Sequence, residues 1–145
     1  MLTIDTAGPE AVAELMAAIR AEDAAEMAAA GVDGKALAAV PLQALRWHGR
    51  LVALFGLADL PNVDGAGVPW MLCTKVLAEV PRRQMAAISR RVVLGWMGQR
   101  ALLVNLVHAN NRQAIRFVQW LGFFVYDQPT GPGGQFFTFS WSRNV

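Results

Sequence analysis

The stretch Leu102–Phe123, LLVNLVHANNRQAIRFVQWLGF, decides the fold. Its first seven residues, Leu102–His108, are mostly β-favouring and apolar, the pattern of a strand covered on both faces. Asn110 and Asn111 follow as turn and helix-start residues, because an asparagine side-chain oxygen accepts a hydrogen bond from a free N–H of the first helical turn. Ala114, Ile115, Phe117, Val118 and Leu121 then recur at helical spacing. Gly122 ends the helix, where glycine takes a positive φ at little cost. Phe123–Tyr126 re-enters the sheet. The unit is therefore strand, tight turn, helix, strand.

Working back from it, Pro81 starts a long helix to about Gly98, with Ile88, Arg91, Val92 and Trp96 as a partly cationic stripe. Lys75–Val80 is a connector, and Val68–Thr74, VPWMLCT, is the strand before it. Residues 61–67 have strong turn chemistry and no phosphate-loop spacing. Leu42–Trp47 and Leu51–Leu57 form a hairpin about His48-Gly49. Upstream lie a short strand at Leu2–Ile4, a helix opened by Gly8-Pro9-Glu10, an Ala-rich helix from about Ala24 to Ala30, and a last helical turn in Lys35–Val40. The first helix carries an apolar face of Val12, Leu15, Met16 and Ile19. Downstream, residues 129–134 are a turn-rich loop, read as a plain hairpin connection or as a lid over a groove. Gln135–Trp141 alternates, with Phe136, Thr138 and Ser140 on one face and Phe137, Phe139 and Trp141 on the other. No internal repeat and no second domain is visible. The order predicts one α+β domain over residues 1–145, a mixed, mostly antiparallel central sheet with helices on both faces.

Composition narrows the function. The chain is 54% hydrophobic with positive mean hydropathy, which points to a protein partner or to a homo-oligomer that covers apolar surface. No apolar run reaches the roughly 18–20 residues of a membrane span. No basic segment precedes an apolar stretch at the N-terminus, so secretion is not expected. The one cysteine, Cys73, excludes an internal disulfide and suits a reducing compartment, here the cytoplasm. It reads as a buried small apolar residue or as a nucleophile. Two histidines and one cysteine, far apart, offer no metal-ligand spacing. Charge is uneven: residues 1–80 hold ten acids and five bases, residues 81–145 one acid and eight bases, all arginine. A basic half suits an anionic ligand, and arginine favours forked phosphate recognition. No nucleic-acid-binding motif accompanies it, so nucleic acid is not the expected partner.

The order Asn111-x-x-Ala114, Phe117, Gly122-Phe123 resembles the motif near the C-terminal end of the GNAT (GCN-five-related N-acetyltransferase) superfamily. That resemblance implies an acyl-CoA groove flanked by this strand and helix. It implies that backbone groups of Met71, Leu72 and Cys73 meet the pantetheine and the thioester oxygen, and that Asn111 sits near the acetyl-CoA. Many catalytic members carry a tyrosine at the position of Val118, where it protonates the leaving thiolate. Most carry a glycine-rich loop, Arg/Gln-x-x-Gly-x-Gly/Ala, for the pyrophosphate. Here Glu79-Val80-Pro81-Arg82-Arg83-Gln84 stands there without a glycine, which leaves Arg82, Arg83 and Gln84, with the helix start, as the candidate phosphate site. For a base the chain offers His108, Asp59 and Glu79. His108 is preferred, since it ends the strand that would line the groove and histidine is the side chain suited to proton transfer near neutrality. Its other reading is a ring that satisfies a local backbone group. Glu22, Asp23 and Glu26 read as a solvated helix face or as a catalytic cluster.

Several segments are more narrowly similar to small GNAT-like proteins of short-tailed bacteriophages, which are described as internal virion or core-assembly proteins or as acetyltransferases. They are Arg20–Glu26, Ala53–Gly56, Val68–Thr74, Ser89–Arg91, Asn105-x-Val107 with Asn110 and Asn111, and Trp120–Phe123. Two functions follow. One is an acyl-CoA-dependent N-acetyltransferase with an atypical pyrophosphate site, acting on a host or phage amine in the cytoplasm of an infected cell. The other is a non-catalytic virion or assembly protein that works through protein contacts, with phage virion or host proteins as partners.

Overall fold

The computed structural model describes residues 1–143. In chain order the elements are β1 (Leu2–Ala7), α1 (Glu10–Ala18), α2 (Ala21–Ala30), α3 (Gly34–Ala38), β2 (Leu42–Trp47), β3 (Arg50–Asp59) and β4 (Ala66–Cys73). After a 3-10 turn at Lys75–Glu79 come α4 (Arg82–Gln99), β5 (Leu102–His108), α5 (Arg112–Trp120), β6 (Phe124–Val125), a second 3-10 turn at Pro132–Gly134, and β7 (Phe136–Ser142). The strands form a seven-stranded sheet in the order β1-β2-β3-β4-β5-β7-β6. The pairs β1–β2, β2–β3, β5–β7 and β6–β7 are antiparallel. The β4–β5 pair is parallel and engages only Ala66 and Gly67 of β4. This is the expected mixed, mostly antiparallel sheet with helices.

The chain divides into two compact units: Met1–Ala58 with Trp70–Ala86, and Asp59–Pro69 with Ala87 onward. In the first, α1 buries Ala11, Val12 and Leu15, and α2 buries Met27. These pack with Leu37, Leu42, Ala44, Leu51 and Leu54 in one apolar cluster. Helix α2 begins at Ala21, three residues before the expected start, because Arg20 is extended and its carbonyl accepts the Ala24 N–H. The β2–β3 turn falls at His48 and Gly49, both at positive φ (49° and 81°), which suits the right-handed twist of a two-residue hairpin. On β3, a side chain at position 56 has no room: a Cβ there would lie 2.6 Å from the Pro41 carbonyl oxygen and 3.1 Å from Trp70 Nε1.

The second unit is built on β5 and β7, paired from Leu102↔Ser142 to His108↔Phe136. Asn111 caps α5, as expected, through Oδ1 accepting the Ala114 N–H at 3.2 Å. The predicted stripe Ala114, Ile115, Phe117, Val118 and Leu121 is the half-buried side of this segment. Gly122 has φ 107°. Two expectations are corrected. The buried line of α4 is Met85, Ser89 and Val93, flanked by half-buried Ile88, Val92 and Trp96, while Arg91 is exposed. Strand β7 buries Phe136 and Phe139, three apart, instead of one alternating face. Phe136 packs edge-on against His108 (5.3 Å between ring centres) and Phe139 against Phe123 (5.0 Å), so each ring answers to its own neighbour.

Candidate functional site

Strand alternation decides what β4 offers. Ala66 accepts the Leu60 N–H, and Thr74 donates its N–H to Val52, a β3 residue. Even-numbered positions therefore direct their backbone polar groups toward β3. Odd-numbered positions face the other edge. There the Pro69 carbonyl accepts from Asn105 Nδ2 at 2.6 Å. Cys73 donates its N–H to Asp23 Oδ2 at 3.1 Å and accepts the Arg20 N–H at 3.0 Å. Met71 lies between these two closed positions. Its N–H and C=O point to the same edge and have no partner among the described residues.

Met71, Leu72 and Cys73 are thus not equivalent. Leu72 turns its backbone toward β3 and packs its side chain against the α1–α3 cluster. Cys73 has both backbone groups engaged within the chain. Its thiol is buried, and burial together with the Asp23 charge pushes its pKa up to about 12. A nucleophilic role needs the thiolate, so the buried-apolar reading holds for its side chain.

Asp23 is the residue that reasoning from sequence misplaced. It is 6% exposed, not on a solvated face. Its Oδ2 accepts from Arg20 Nε at 2.9 Å as well as from Cys73. Burial pushes the carboxyl above the ordinary aspartate range, opposed by the Arg20 hydrogen bond and charge. The available signal was the i,i+3 spacing of Arg20 and Asp23 in a stretch already marked by its resemblance.

Arg82, Arg83 and Gln84 are exposed in the first turn of α4. Gln84 and Met85 donate their N–H groups to the Pro81 carbonyl. The Arg82 and Arg83 N–H groups have no acceptor within the helix. Neither arginine side chain is in an ion pair among the described residues. The alternative bases are both committed to one: Glu79 to Arg50 at 2.6 Å and Asp59 to Arg100 at 2.5 Å.

In the second unit His108 and Asn111 lie in one turn, closed by the Asn111 N–H on the His108 carbonyl. His108 Nδ1 accepts the Asn110 N–H at 3.2 Å. The neutral ring then carries its proton on Nε2. Asn105, not expected at the site, accepts the Leu106 N–H at Oδ1 and closes the Pro69 position of β4 with its amide. Among the described residues no group of three or more His, Cys, Asp or Glu could hold a metal ion, and no helix is long and apolar enough to cross a membrane.

No protein-family model matches the sequence, and no curated protein matches it. Solved structures do. An acetyltransferase of the GNAT family from Streptococcus pneumoniae superposes with TM-score 0.61 at 13% identity, covering 98% of this chain and 99% of that one. The PaiA N-acetyltransferase of Thermoplasma acidophilum in complex with coenzyme A gives 0.68 at 12%, covering 98% and 99%. An acetyltransferase from Thermus thermophilus gives 0.69 at 13%, covering 98% and 97%. The fold is that of the GNAT acetyltransferases. At such identities the likeness carries the GNAT fold and leaves the chemistry to this chain's own residues. In this chain the Met71 pair on β4 is open, the Cys73 backbone is engaged, and Pro81 before α4 has no N–H.

Proposed function

We propose that this chain is a single GNAT-like domain, residues 1–145, that acts as an acyl-CoA-dependent N-acetyltransferase. The last two of those residues lie outside the described ones. The observation that carries the reading is the unpartnered N–H and C=O of Met71 on a strand that leads, through the turn at Lys75–Glu79 and Pro81, to the free N–H groups and guanidinium groups of Arg82 and Arg83. Acetyl-CoA would supply an activated acyl thioester. The guanidinium groups of Arg82 and Arg83 and the Gln84 amide would hold its phosphates, aided by the helix dipole. The Met71 N–H would be the donor for the thioester oxygen, a bond worth most where negative charge develops. His108 is the candidate for proton transfer. Its Nδ1 accepts the Asn110 N–H, and taking a proton at Nδ1 would break that bond. Asn111 serves its helix first, as the N-cap.

A second reading has specific support. The closed edge at Cys73, Pro81 without an N–H, and Val118 in place of the usual tyrosine favour a GNAT fold kept for assembly. Exposed Leu94, Trp120, Phe124 and Tyr126 would then meet virion or host proteins or a second copy. The phage context rests on the sequence stretches alone.

The deciding experiment is thermal unfolding with and without millimolar acetyl-CoA. A ligand at about 100 times its Kd adds roughly 2.7 kcal/mol, several degrees for a domain of this size. The acyltransferase reading expects that shift, reduced by Arg82→Ala in a folded protein. No shift in the folded wild type makes assembly the working reading.

A further inference from the structure

The elbow between α1 and α2 is tied to the end of β4 more closely than its helices need. Leu15 is fully buried and Met27 5% exposed, so the helices are already anchored in the core. Yet the elbow closes an isolated antiparallel bridge on the open edge of β4. Ile19 bridges Thr74 in antiparallel fashion, Arg20 gives its N–H to the Cys73 carbonyl, and Asp23 takes the Cys73 N–H. Arg20 Nε, bonded to the same Asp23 oxygen, locks the arrangement. All of these residues, with Met71 and the first turn of α4, belong to one compact unit.

A linear ligand with phosphates at Arg82 and Arg83 and its reactive end at the Met71 N–H has to run along this edge. Cys73 stands between those two points in the strand. Its N–H and C=O can serve the elbow or the ligand, but not both. We propose that Arg20 and Asp23 are positioning residues for the acyl-CoA site, which compete with the ligand for the Cys73 backbone and set its access to β4. This rests on the acyltransferase reading above. The competition is nearly balanced for a physical reason. Asp23 sits desolvated, and a buried ion pair returns little net stability over its desolvation cost. Release of the elbow together with the first turn of α2 returns both charges to water, while the ligand satisfies the amide and carbonyl left behind. A site that is competent only when the elbow is open binds with an affinity lowered by the fraction of time it is open.

The test is an acetyl-CoA titration of the wild-type protein, read by NMR at the Cys73 amide and the Arg20 Nε–H. Affinities are measured beside it for the wild type and Asp23→Ala. The expected result is that both signals move on binding and that Asp23→Ala binds roughly tenfold more tightly. A substitution that merely loosened the fold would weaken binding instead. Saturation of the wild type with both signals unmoved overturns the proposal, and so does equal or weaker binding by folded Asp23→Ala. The wild-type titration decides even if the variant does not fold. Binding by neither folded protein overturns the acyltransferase reading itself, a different outcome from either of these.

Discussion

Cys73 and Asp23 meet at one backbone amide, and each behaves against its type. The Cys73 thiol, buried and beside a carboxylate, has its pKa pushed up to about 12. It is expected to resist iodoacetamide at neutral pH in the native protein and to react at the rate of a free thiol in denaturant. Fast native alkylation would refute the burial argument. Asp23 has a folded pKa raised by burial. As pH rises past the ordinary aspartate value, the unfolded chain releases this proton first, so Asp23 makes the native state progressively less favoured until its own raised pKa is passed. Glu14, which the Arg46 hydrogen bond holds below the ordinary range, acts in the opposite direction. Glu14 is present in both proteins when wild type is compared with Asp23→Asn, so its contribution cancels. Wild-type stability relative to Asp23→Asn should fall as pH rises through and above the ordinary aspartate value in urea unfolding. A flat or rising difference would show that the carboxyl is not held up. In the sequence, only its i,i+3 spacing to Arg20 separates Asp23 from Glu22 and Glu26. The helix start at Ala21, fixed by the extended Arg20, then turns that acid inward.

At the scale of elements, Leu102–Phe123 was legible because each signal in it is local: an apolar strand, an asparagine cap, a helical stripe and a terminal glycine. Helix α4 was less so. Its Ile88 and Val92 mark the right side, but the buried line runs through Met85, Ser89 and Val93, and a serine there reads as polar in any pattern. Ser89 Oγ is buried with no hydrogen-bond partner among the described residues. Ser89→Ala should therefore raise stability by about 1 kcal/mol, since it removes an unsatisfied hydroxyl and adds helix propensity. A loss in urea unfolding would mean that the hydroxyl does have a partner. Gly56 shows the reverse case, a residue whose need is invisible in its own strand. The Pro41 carbonyl and the Trp70 ring come from elsewhere in the chain to fill the space of a side chain. Gly56→Ala should cost about 1–3 kcal/mol by overpacking, read in the same urea unfolding. The candidate site was half legible for the same reason. Strand β4 and the helix after it could be placed from sequence, whereas the closure of Cys73 depends on residues some fifty positions away.

For the whole molecule, charge separates stability from binding. Of four ion pairs among the described residues, only Arg20–Asp23 has a carboxylate well out of solvent; those of Glu14, Glu79 and Asp59 are 46%, 51% and 84% exposed. Such surface pairs contribute little, and salt screens what they do contribute. Arg82 and Arg83, by contrast, are exposed and face no acid among the described residues. Beyond them Arg90, Arg91, Arg112 and Arg116 are exposed on α4 and α5, neither of which contains an acidic residue. Screening length falls from about 10 Å at 0.1 M salt to about 3 Å at 1 M. The unfolding temperature of the free protein should therefore change little across that range, while the shift produced by a fixed concentration of acetyl-CoA should shrink by more than half. Two differential-scanning titrations measure both quantities on the same sample. A shift that ignored salt would place the binding energy in the thioester end, at the Met71 edge, and would remove Arg82 and Arg83 from the phosphate role. A free protein that itself lost several degrees would instead mean that its arginine pairs hold the fold, contrary to the exposure of their carboxylates.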